Sequence, residues 1–390
     1  RISVHDGAAS DIGVARYRFG RLIRKDGSLA VAVRQNHTDE VADREILADR
    51  VILATGVQNT LPQELAKGLA RISYLTNETA YFQTTQPESL IVLGGGYVAV
   101  EAAQMFARLG SRVTLLQRST RILSHIGDNL GTALAGYLEE EGIEVVVGLD
   151  VTSIVASGDD TITVTAMASG HIRKFSASRL FVATGRKANT AHVSQIPIQL
   201  ADTPHGGFLV STTLETSVSG VYAAGDCVAD SPQYVYTAAV EGKLAALNSL
   251  ASLNSRNEED MDYSVVPWVV FSSPAVAGVG LDLAEAQAKG IDVDASSIPL
   301  SLLPRAVVQQ DTRGFVTLIR NRRDSTIIGA RILAEEGGEL VMEASLCVRY
   351  KIKAHEVAGM FHPYLTWNEV WKLAALGFAK DIKKLSCCAT

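Results

Sequence analysis

The chain has 390 residues, of which 47% are hydrophobic and 20% charged, the balance of a soluble globular protein. Its net charge of −6 comes without a basic block, and no apolar run approaches the ~18 residues of a membrane helix, so we expect neither a nucleic-acid nor a membrane partner. Four cysteines without the spacing of a disulfide framework indicate a reducing compartment, and we expect a cytoplasmic protein of two or three domains.

The first elements in the chain are predicted strands and helices in alternation. Residues 1 to about 50 favour short strands with turns, and VILATG (51–56) is an apolar strand that ends in a Thr-Gly turn. The next pattern is strand, glycine turn, helix and strand, with the first strand at 91–93 and the helix at about 97–109, which Gly110 ends. Strands that alternate with helices predict a parallel sheet.

The predicted elements after the first helix are mostly strands. A second helix at about 129–141 leads to the strand IEVVVG, and the strands TITVTAM and RLFVATGR follow. Another predicted strand ends within SGVYAAGD, at Gly225 and Asp226. The polar segment SLNSRNEEDMD indicates a linker. The part from about residue 263 onward predicts a hairpin in FVTLIRNRRDSTIIGARIL and helices at about 338–350 and 366–376.

The glycine turn has the clearest chemical meaning. Residues 94–99 read GGGYVA, a G-x-G-x-x-A that follows a strand and opens a helix. In that context Gly94 permits the tight turn, Gly96 lets the backbone approach a pyrophosphate, and Ala99 lets helix and strand pack closely. The positive end of the helix favours the phosphates. The pattern predicts a dinucleotide site, and a glycine turn that only serves packing is the alternative.

The residues after the second strand indicate which dinucleotide is bound. An NAD site usually has an acidic residue there for the ribose 2′-hydroxyl. This strand ends in Gln117 instead, and Arg118 and Arg121 follow. Because guanidinium groups suit a 2′-phosphate, the sequence favours NADPH, unless the arginines are only surface charges.

Three motifs together resemble a known family. GGGYVAVE (94–101), the ATG turns at 54–57 and 183–186, and TSVSGVYAAGD (216–226) are similar to the flavin-dependent pyridine nucleotide-disulfide oxidoreductases. The resemblance covers nearly the whole chain and implies an α/β, Rossmann-like fold with two dinucleotide-binding domains and an α+β C-terminal dimerisation domain. It also implies FAD and NADPH as cofactors and a homodimer. The implied domains are FAD-binding at 1–86 and 187–260, NAD(P)H-binding at 87–186, and dimerisation at 261–390.

The resemblance also implies roles for single residues. Asp226 would bind the ribityl chain of FAD, in a site with Thr55, Gly56 and Gly225. Glu101 and Arg186 would lie near the cofactors. Tyr97 would cover the flavin until NADPH enters, or would be an ordinary core residue.

The C-terminal part is most similar to the mercuric reductases within this family. PQYVYTAA (232–239), PYLT (363–366) and above all KKLSCCAT (383–390) carry this resemblance. It implies that Cys387 and Cys388 bind the substrate Hg(II) and deliver it to the active site of the partner subunit. The chemistry fits, because Hg(II) is soft and thiolate is the softest protein ligand. Tyr74 and Tyr364 match tyrosines that line the metal path, or they serve packing or an interface.

Two departures from the pattern leave alternatives open. His362 precedes Pro363 where mercuric reductases tend to have Phe, whereas disulfide reductases have an acid/base His there. A disulfide reductase of the glutathione reductase or dihydrolipoamide dehydrogenase type is therefore one alternative. The first glycine motif of the family and its Cys-x4-Cys redox pair do not occur in the sequence. We therefore expect a fragment that lacks the first half of the FAD domain and is inactive by itself. The other alternative is a redox-dead protein that binds nucleotide or metal.

Overall fold

The computed structural model describes residues 17–35, 43–156, 161–191, 193–251 and 256–382. The chain forms two compact units, Arg1–Thr60 with Arg186–Asp262 and Leu61–Gly185 with Tyr263–Thr390, called unit 1 and unit 2 below. The finer division into three domains stays a prediction. In the described ranges, the helices are all too short or too polar to cross a bilayer.

The elements are numbered in chain order. The strands are β1 (Tyr17–Lys25), β2 (Ser28–Gln35), β3 (Asp43–Ala48), β4 (Val51–Leu53), β5 (Val57–Asn59), β6 (Ser89–Leu93), β7 (Arg112–Gln117), β8 (Glu144–Val147), β9 (Leu149–Ala156), β10 (Ile162–Ala168), β11 (His171–Ala177), β12 (Arg179–Val182), β13 (Arg186–Ala188), β14 (Val221–Ala223), β15 (Trp268–Val270), β16 (Ala275–Gly280), β17 (Val293–Pro299), β18 (Phe315–Asn321) and β19 (Ile327–Ala334). The α-helices are α1 (Ala66–Leu69), α2 (Tyr97–Arg108), α3 (Asp128–Glu140), α4 (Val235–Ala251), α5 (Leu283–Ala288), α6 (Pro304–Gln309), α7 (Gly337–Arg349), α8 (Ala354–Gly359) and α9 (Glu369–Leu376). Short 3₁₀ helices lie at Gln63–Leu65, Ala80–Phe82 and Leu300–Leu302.

Unit 1 contains three small sheets and two hydrophobic clusters in its described residues. Strands β1, β2 and β3 form an antiparallel meander, β4 pairs parallel with β14, and β5 pairs antiparallel with β13. The larger cluster contains Leu22, Phe208, Val221 and Cys227. Since β4 and β14 are parallel, the turns that follow them lie at the same edge of the sheet.

Unit 2 contains the predicted parallel sheet. Its strands lie in the order β12-β6-β7-β8, and all their pairings are parallel. The apolar residues Leu90–Leu93 of β6 are all buried, as expected for a strand that is covered on both faces. Helix α2 packs on this sheet with its small residues Ala99 and Ala103 fully buried. The helix ends before Gly110, whose φ of 104° is left-handed.

Two antiparallel sheets complete unit 2. One has the order β11-β10-β9, and the other has the order β15-β16-β19-β18-β17 and includes the predicted hairpin as β18 and β19. Helices α7 and α9 contribute to the core at the second sheet, with Trp371 fully buried. The predicted helix at 366–376 begins later, at Glu369, because Leu365 has a φ of 62° and the next three residues form a turn.

Helix α2 is also joined to the segment between β15 and β16. The backbone N–H of Phe271 donates to Glu101 Oε1 at 2.8 Å. Ser273 exchanges two hydrogen bonds with the Gln104 amide, each of 2.8 Å. At the end of the helix, Arg108 donates to Glu141 at 2.7 and 2.9 Å. Polar groups on one face of α2 therefore bind the helix to the C-terminal part of unit 2.

Candidate functional site

The turn between β6 and α2 forms a cradle that is tight on one side and open on the other. Gly94 has a φ of 117°, and a Cβ there would overlap the carbonyl oxygen of Ala183. Gly96 is the N-cap of α2, and a Cβ there would meet no atom within 4 Å. Ala99 is fully buried against the sheet. The first glycine is thus required by the fold itself, whereas the space above Gly96 is open.

The cradle has the electrostatics of an anion site. The first N–H groups of a helix lack partners within the helix, and the helix dipole adds positive potential there. No acidic residue lies in the first turn of α2 to neutralise this potential. The cradle is held in place by two backbone hydrogen bonds, Gly94 N to Leu116 O at 2.9 Å and Leu123 N to Gly95 O at 2.7 Å. A pyrophosphate therefore fits these residues in shape and in charge.

The residues after β7 lie beside the cradle. A Cβ on Gly95 would touch the side chain of Gln117, which shows how closely the end of β7 approaches the glycine turn. The Gln117 side chain accepts a 3.1 Å hydrogen bond from the Arg118 N–H. Arg118 is exposed, and the half-buried Arg121 donates to the carbonyl of Ser124 at 3.2 Å. No carboxylate occupies the end of the strand, and two guanidinium groups follow it.

Tyr97 and Glu101 extend along the same helix. Tyr97 is half-buried and stacks on Trp268, with ring centroids 6.2 Å apart. Glu101 is half-buried rather than solvated, and burial raises its pKa, against the lowering effect of the Phe271 N–H. A carboxylate kept partly out of water next to a candidate cofactor site can be functional.

Unit 1 brings the other predicted residues together in two turns. Thr55 and Gly56 follow β4, and Gly225 and Asp226 follow β14, so the two turns lie at one sheet edge. Asn189 ties the first turn down, because it donates to Thr55 O at 3.0 Å and its own carbonyl accepts from Thr55 Oγ1 at 2.6 Å. A Cβ on Gly56 would meet nothing within 4 Å.

Asp226 lies next to Arg186, as expected if both belong to one site. Arg186 Nη1 is 3.3 Å from Asp226 Oδ2, and Arg186 Nη2 donates to the carbonyl of Gln233 at 3.4 Å. The two side chains are 34% and 22% exposed. The Asp226 carboxylate can therefore still accept hydrogen bonds from ligand hydroxyls.

Glu241 supports the turn after β14, and the sequence did not predict this role for it. It lies on α4 and is fully buried. Its carboxylate accepts from the Gly225 N–H at 2.5 Å and from the Ser231 hydroxyl. It therefore fixes both ends of the loop that presents Asp226. A lone Glu in VYTAAVEGK offers no local signal for this contact.

His362 is engaged at both ring nitrogens. Its Nε2 lies 2.9 Å from Glu343 Oε1, and its Nδ1 lies 3.3 Å from the carbonyl of Met360. The side chain is only 4% exposed. The other oxygen of Glu343 accepts from Asn368 at 2.6 Å, so that one carboxylate of α7 holds both ends of the 362–368 loop.

The two predicted metal-path tyrosines differ in environment. Tyr364 is 56% exposed, in the loop after α8. Tyr74 is half-buried and packs against the cluster that includes Leu69, Leu93 and Phe175. Their environments allow the packing interpretation for Tyr74 more readily than for Tyr364, and the roles of both stay predictions.

Two regions of the chain match models of known domains. Residues 25–242 match "Pyridine nucleotide-disulphide oxidoreductase", and residues 266–375 match the dimerisation domain of the same family. The chain belongs to this family. Its members and the mercuric reductases use FAD and NADPH. The predicted fold class and the predicted membership of an oxidoreductase family are thereby confirmed.

Relatives within this oxidoreductase family include mercuric reductases from several bacteria. That of Shewanella putrefaciens is 38% identical over 92% of this chain, and that of Bacillus cereus is 36% identical over 90%. The mercuric reductase of Streptomyces lividans is 37% identical over 88% of the chain. The chain spans 61%, 55% and 70% of the length of these three relatives.

Solved structures agree on the fold. LpdA from Mycobacterium tuberculosis superposes with a TM-score of 0.78 at 22% identity, over 93% of this chain and 76% of that one. The HOCl-induced flavoprotein disulfide reductase RclA from Escherichia coli gives 0.76 at 22% identity, over 89% and 76% of the two chains. At this identity the likeness concerns the fold alone.

The four cysteines of the chain fall into two groups. Cys387 and Cys388 lie outside the described residues. Cys227 is fully buried and donates to the carbonyls of Leu53 and Ala224. Cys347 is buried in α7, and burial raises its pKa to about 11. In the part of the chain that the structure describes, no three His, Cys, Asp or Glu side chains are grouped to hold a metal ion.

Proposed function

We propose that the chain belongs to an NADPH- and FAD-dependent mercury(II) reductase that works as a homodimer on Hg(II)–thiol complexes. The observation that carries the proposal is the identity of 35–38% to mercuric reductases over about nine-tenths of the chain. The cysteine pair in KKLSCCAT supports it, since two adjacent thiols suit a soft metal substrate.

The turn at 94–99 would hold NADPH. Gly94 shapes the turn, and the open space above Gly96 admits the pyrophosphate to the N-terminus of α2. Arg118 and Arg121 would bind the 2′-phosphate, beside Gln117, which does not repel it. These residues bind and orient the dinucleotide.

The paired turns of unit 1 would hold FAD. Asp226 would accept from the ribityl hydroxyls, with Arg186 fixing its carboxylate and Glu241 fixing its loop. The turn of Thr55 and Gly56 lies at the same edge. When bound, NADPH would supply a hydride and FAD would supply two-electron transfer, chemistry that side chains alone cannot perform.

The overall reaction balances with two thiols as products. One Hg(II) bis-thiolate, one NADPH and one proton give Hg(0), NADP⁺ and two thiols, so that both Hg–S bonds break and mercury gains two electrons. Cys387 and Cys388 would take Hg(II) from its small-thiol complex by ligand exchange, in which a cysteine thiolate attacks the metal, a new Hg–S bond forms, and the small-molecule thiolate leaves as the old Hg–S bond breaks. Tyr74 and Tyr364 would line the path of the metal.

A disulfide reductase is the competing proposal, and the environment of His362 weighs against it. An acid/base histidine needs one ring nitrogen that faces the substrate thiol. Here the Glu343 carboxylate lies 2.9 Å from Nε2, the Met360 carbonyl lies 3.3 Å from Nδ1, and the ring is nearly inaccessible. Its contacts suit a residue that shapes the loop leading to Tyr364.

The deciding experiment compares substrates in NADPH oxidation by the protein expressed from its complete reading frame. We expect Hg(II) in excess thiol to stimulate oxidation and release volatile mercury, and glutathione disulfide and lipoamide not to. Turnover of a disulfide with Hg(II) acting only as an inhibitor would refute the proposal in favour of a disulfide reductase. No turnover of any substrate, with NADPH still bound, would indicate a binding protein.

A pair of cysteine variants tests the delivery step. Replacing both Cys387 and Cys388 by Ala should lower the rate with bulky thiol ligands on Hg(II) and leave FAD reduction by NADPH intact. The matched control is Cys347→Ala, because that thiol is buried and has a raised pKa. Equal rates for the double variant and the control would contradict a delivery role.

A further inference from the structure

The loop between β7 and α3 is bound directly to the glycine cradle. It contains Arg118 and Arg121, the two residues proposed for the 2′-phosphate. The Leu123 N–H donates to the carbonyl of Gly95, the middle glycine of the cradle, at 2.7 Å. Leu123 is buried and has a φ of 49°, a left-handed conformation that residues other than glycine rarely adopt. The surroundings of the loop therefore determine its conformation at this point.

Two further hydrogen bonds fix the part of the loop that contains the arginines. The carbonyl of Ser119, the residue after Arg118, accepts from the Gly148 N–H at 2.9 Å. Arg121 Nη2 donates to the carbonyl of Ser124 at 3.2 Å, across a turn of the loop. The backbone beside each arginine is thus held by a contact with another segment or within the turn.

Helix α3 holds the middle of the loop by a close approach at Gly131. A Cβ on Gly131 would come within 2.1 Å of the carbonyl oxygen of Ile122 and 3.1 Å of its carbonyl carbon. Ile122 is fully buried, and its backbone atoms cannot rotate away as the end of a side chain could. The missing side chain of Gly131 therefore makes the space in which this carbonyl lies. Gly136 of the same helix differs, because a Cβ there would meet no atom within 4 Å.

We propose that Gly131 is a positioning residue that sets the preference for NADPH over NADH, because it fixes the loop whose arginines meet the 2′-phosphate. This inference rests on the proposed NADPH role of the cradle and of the two arginines. Arg121 directly precedes Ile122, so a displaced Ile122 carbonyl also displaces the Arg121 backbone. NADH has no 2′-phosphate and does not depend on this placement.

The cradle has contacts of its own that do not involve the loop. The Gly94 N–H donates to the carbonyl of Leu116 at 2.9 Å, and β6, which leads into the cradle, is paired on both sides within the parallel sheet. A shift of the loop should therefore leave the pyrophosphate site in place. The expected signature of a change at Gly131 is a loss of selectivity between the two dinucleotides, and not a loss of binding to both.

The test is calorimetric titration of the protein expressed from its complete reading frame with NADP⁺ and, separately, NAD⁺, which bind without reducing FAD. Gly131→Ala should weaken NADP⁺ binding about 10-fold, as expected when one hydrogen bond to a charged group is lost, and NAD⁺ binding by less than about 2-fold. Gly136→Ala is the matched control, since it brings the same gain in helix propensity without a contact. It should leave both affinities as they are in the unaltered protein.

A double-variant cycle shows whether Gly131 acts through the arginines. In a background of Arg118→Ala with Arg121→Ala, Gly131→Ala should weaken NADP⁺ binding no further. An equal loss with and without the arginines, an equal loss for NADP⁺ and NAD⁺, or unchanged NADP⁺ affinity in Gly131→Ala would each overturn the inference while leaving the dinucleotide site intact. If the unaltered protein binds neither dinucleotide, or prefers NAD⁺, the proposed cofactor role is refuted and the inference falls with it.

Hydrogen exchange of the unaltered protein provides a test that does not depend on the folding of a variant. The Leu123 N–H donates to Gly95, and the Ile126 N–H donates to the Leu123 carbonyl at 3.1 Å. Without dinucleotide, both amides should therefore already be protected in peptides that cover the loop, as measured by mass spectrometry. Free exchange that slows only after NADP⁺ is added would mean that the dinucleotide orders the loop, and would overturn the role of Gly131.

Discussion

The two glycines of the cradle should respond in opposite ways to the same substitution. Gly96→Ala meets no atom within 4 Å, and its φ of −82° is open to any residue. We expect the free energy of unfolding to change by less than about 1 kcal/mol. The new methyl group stands in the ligand space, however. It should remove at least one backbone hydrogen bond to a charged pyrophosphate, worth roughly 1.5–3 kcal/mol, and so weaken NADPH binding at least ~10-fold.

Gly94→Ala is the matched control. Its φ of 117° is strained for alanine, and its Cβ would overlap the Ala183 carbonyl oxygen. Together these effects should cost about 2–5 kcal/mol of stability. Urea unfolding and NADPH titration of both variants provide the assay. Native affinity in Gly96→Ala would refute the pyrophosphate site, and native stability in Gly94→Ala would refute the packing argument.

Three further changes test the electrostatics and the thiols. Because burial raises the pKa of Glu101, its ionisation opposes folding at pH 7. Glu101→Gln should therefore raise stability at pH 7 in thermal unfolding, and the gain should disappear below about pH 4. Arg320 holds the pKa of Asp294 below its usual range through hydrogen bonds of 3.0 and 2.7 Å, so the pair stabilises the fold above the unfolded pKa of roughly 4 and loses that effect as pH falls through the folded value. Asp294→Asn should cost about 1–2 kcal/mol at pH 7 and progressively less in acid. Cys227 and Cys347 should react with a thiol reagent only after denaturation, since both are buried, and peptide mapping of the modified chain checks this.

Each of these three predictions has a result that would contradict it. A stability gain for Glu101→Gln that persists in acid would mean that the gain does not come from removing the charge. A pH-independent loss in Asp294→Asn would assign its effect to packing. Rapid modification of Cys227 or Cys347 in the native chain would show that this buried cysteine is reachable.

The sequence predicted the elements whose signals are local. The helix expected at 97–109 is Tyr97–Arg108, and that expected at 129–141 is Asp128–Glu140. Apolar spacing and the glycines at both ends determine these bounds. Helix α4 was missed because its buried face includes the polar Glu241 and Asn248, whereas apolar residues such as Val240 and Leu247 are exposed. Its sequence therefore lacks the apolar periodicity of an amphipathic helix.

The sequence did not predict the contacts between segments that lie far apart in the chain. The motif around His362 suggested an acid/base role, yet its partner Glu343 comes from α7 and belongs to no motif. Likewise, nothing near Gly225 indicates that the buried Glu241 of α4 binds its N–H. Such pairs depend on how elements pack, which local patterns do not encode.

The hydrogen bonds between α2 and the 271–273 segment limit how this chain can be recombined. The two family domains, 25–242 and 266–375, suggest modules that relatives could exchange. Yet Glu101 and Gln104 bind backbone groups on the far side of that boundary. A chimera that joins one half to a foreign partner would leave a half-buried carboxylate and a buried amide without their partners, unless the graft also carried a matching loop. Helix α2 and the 271–273 segment would therefore have to be exchanged together.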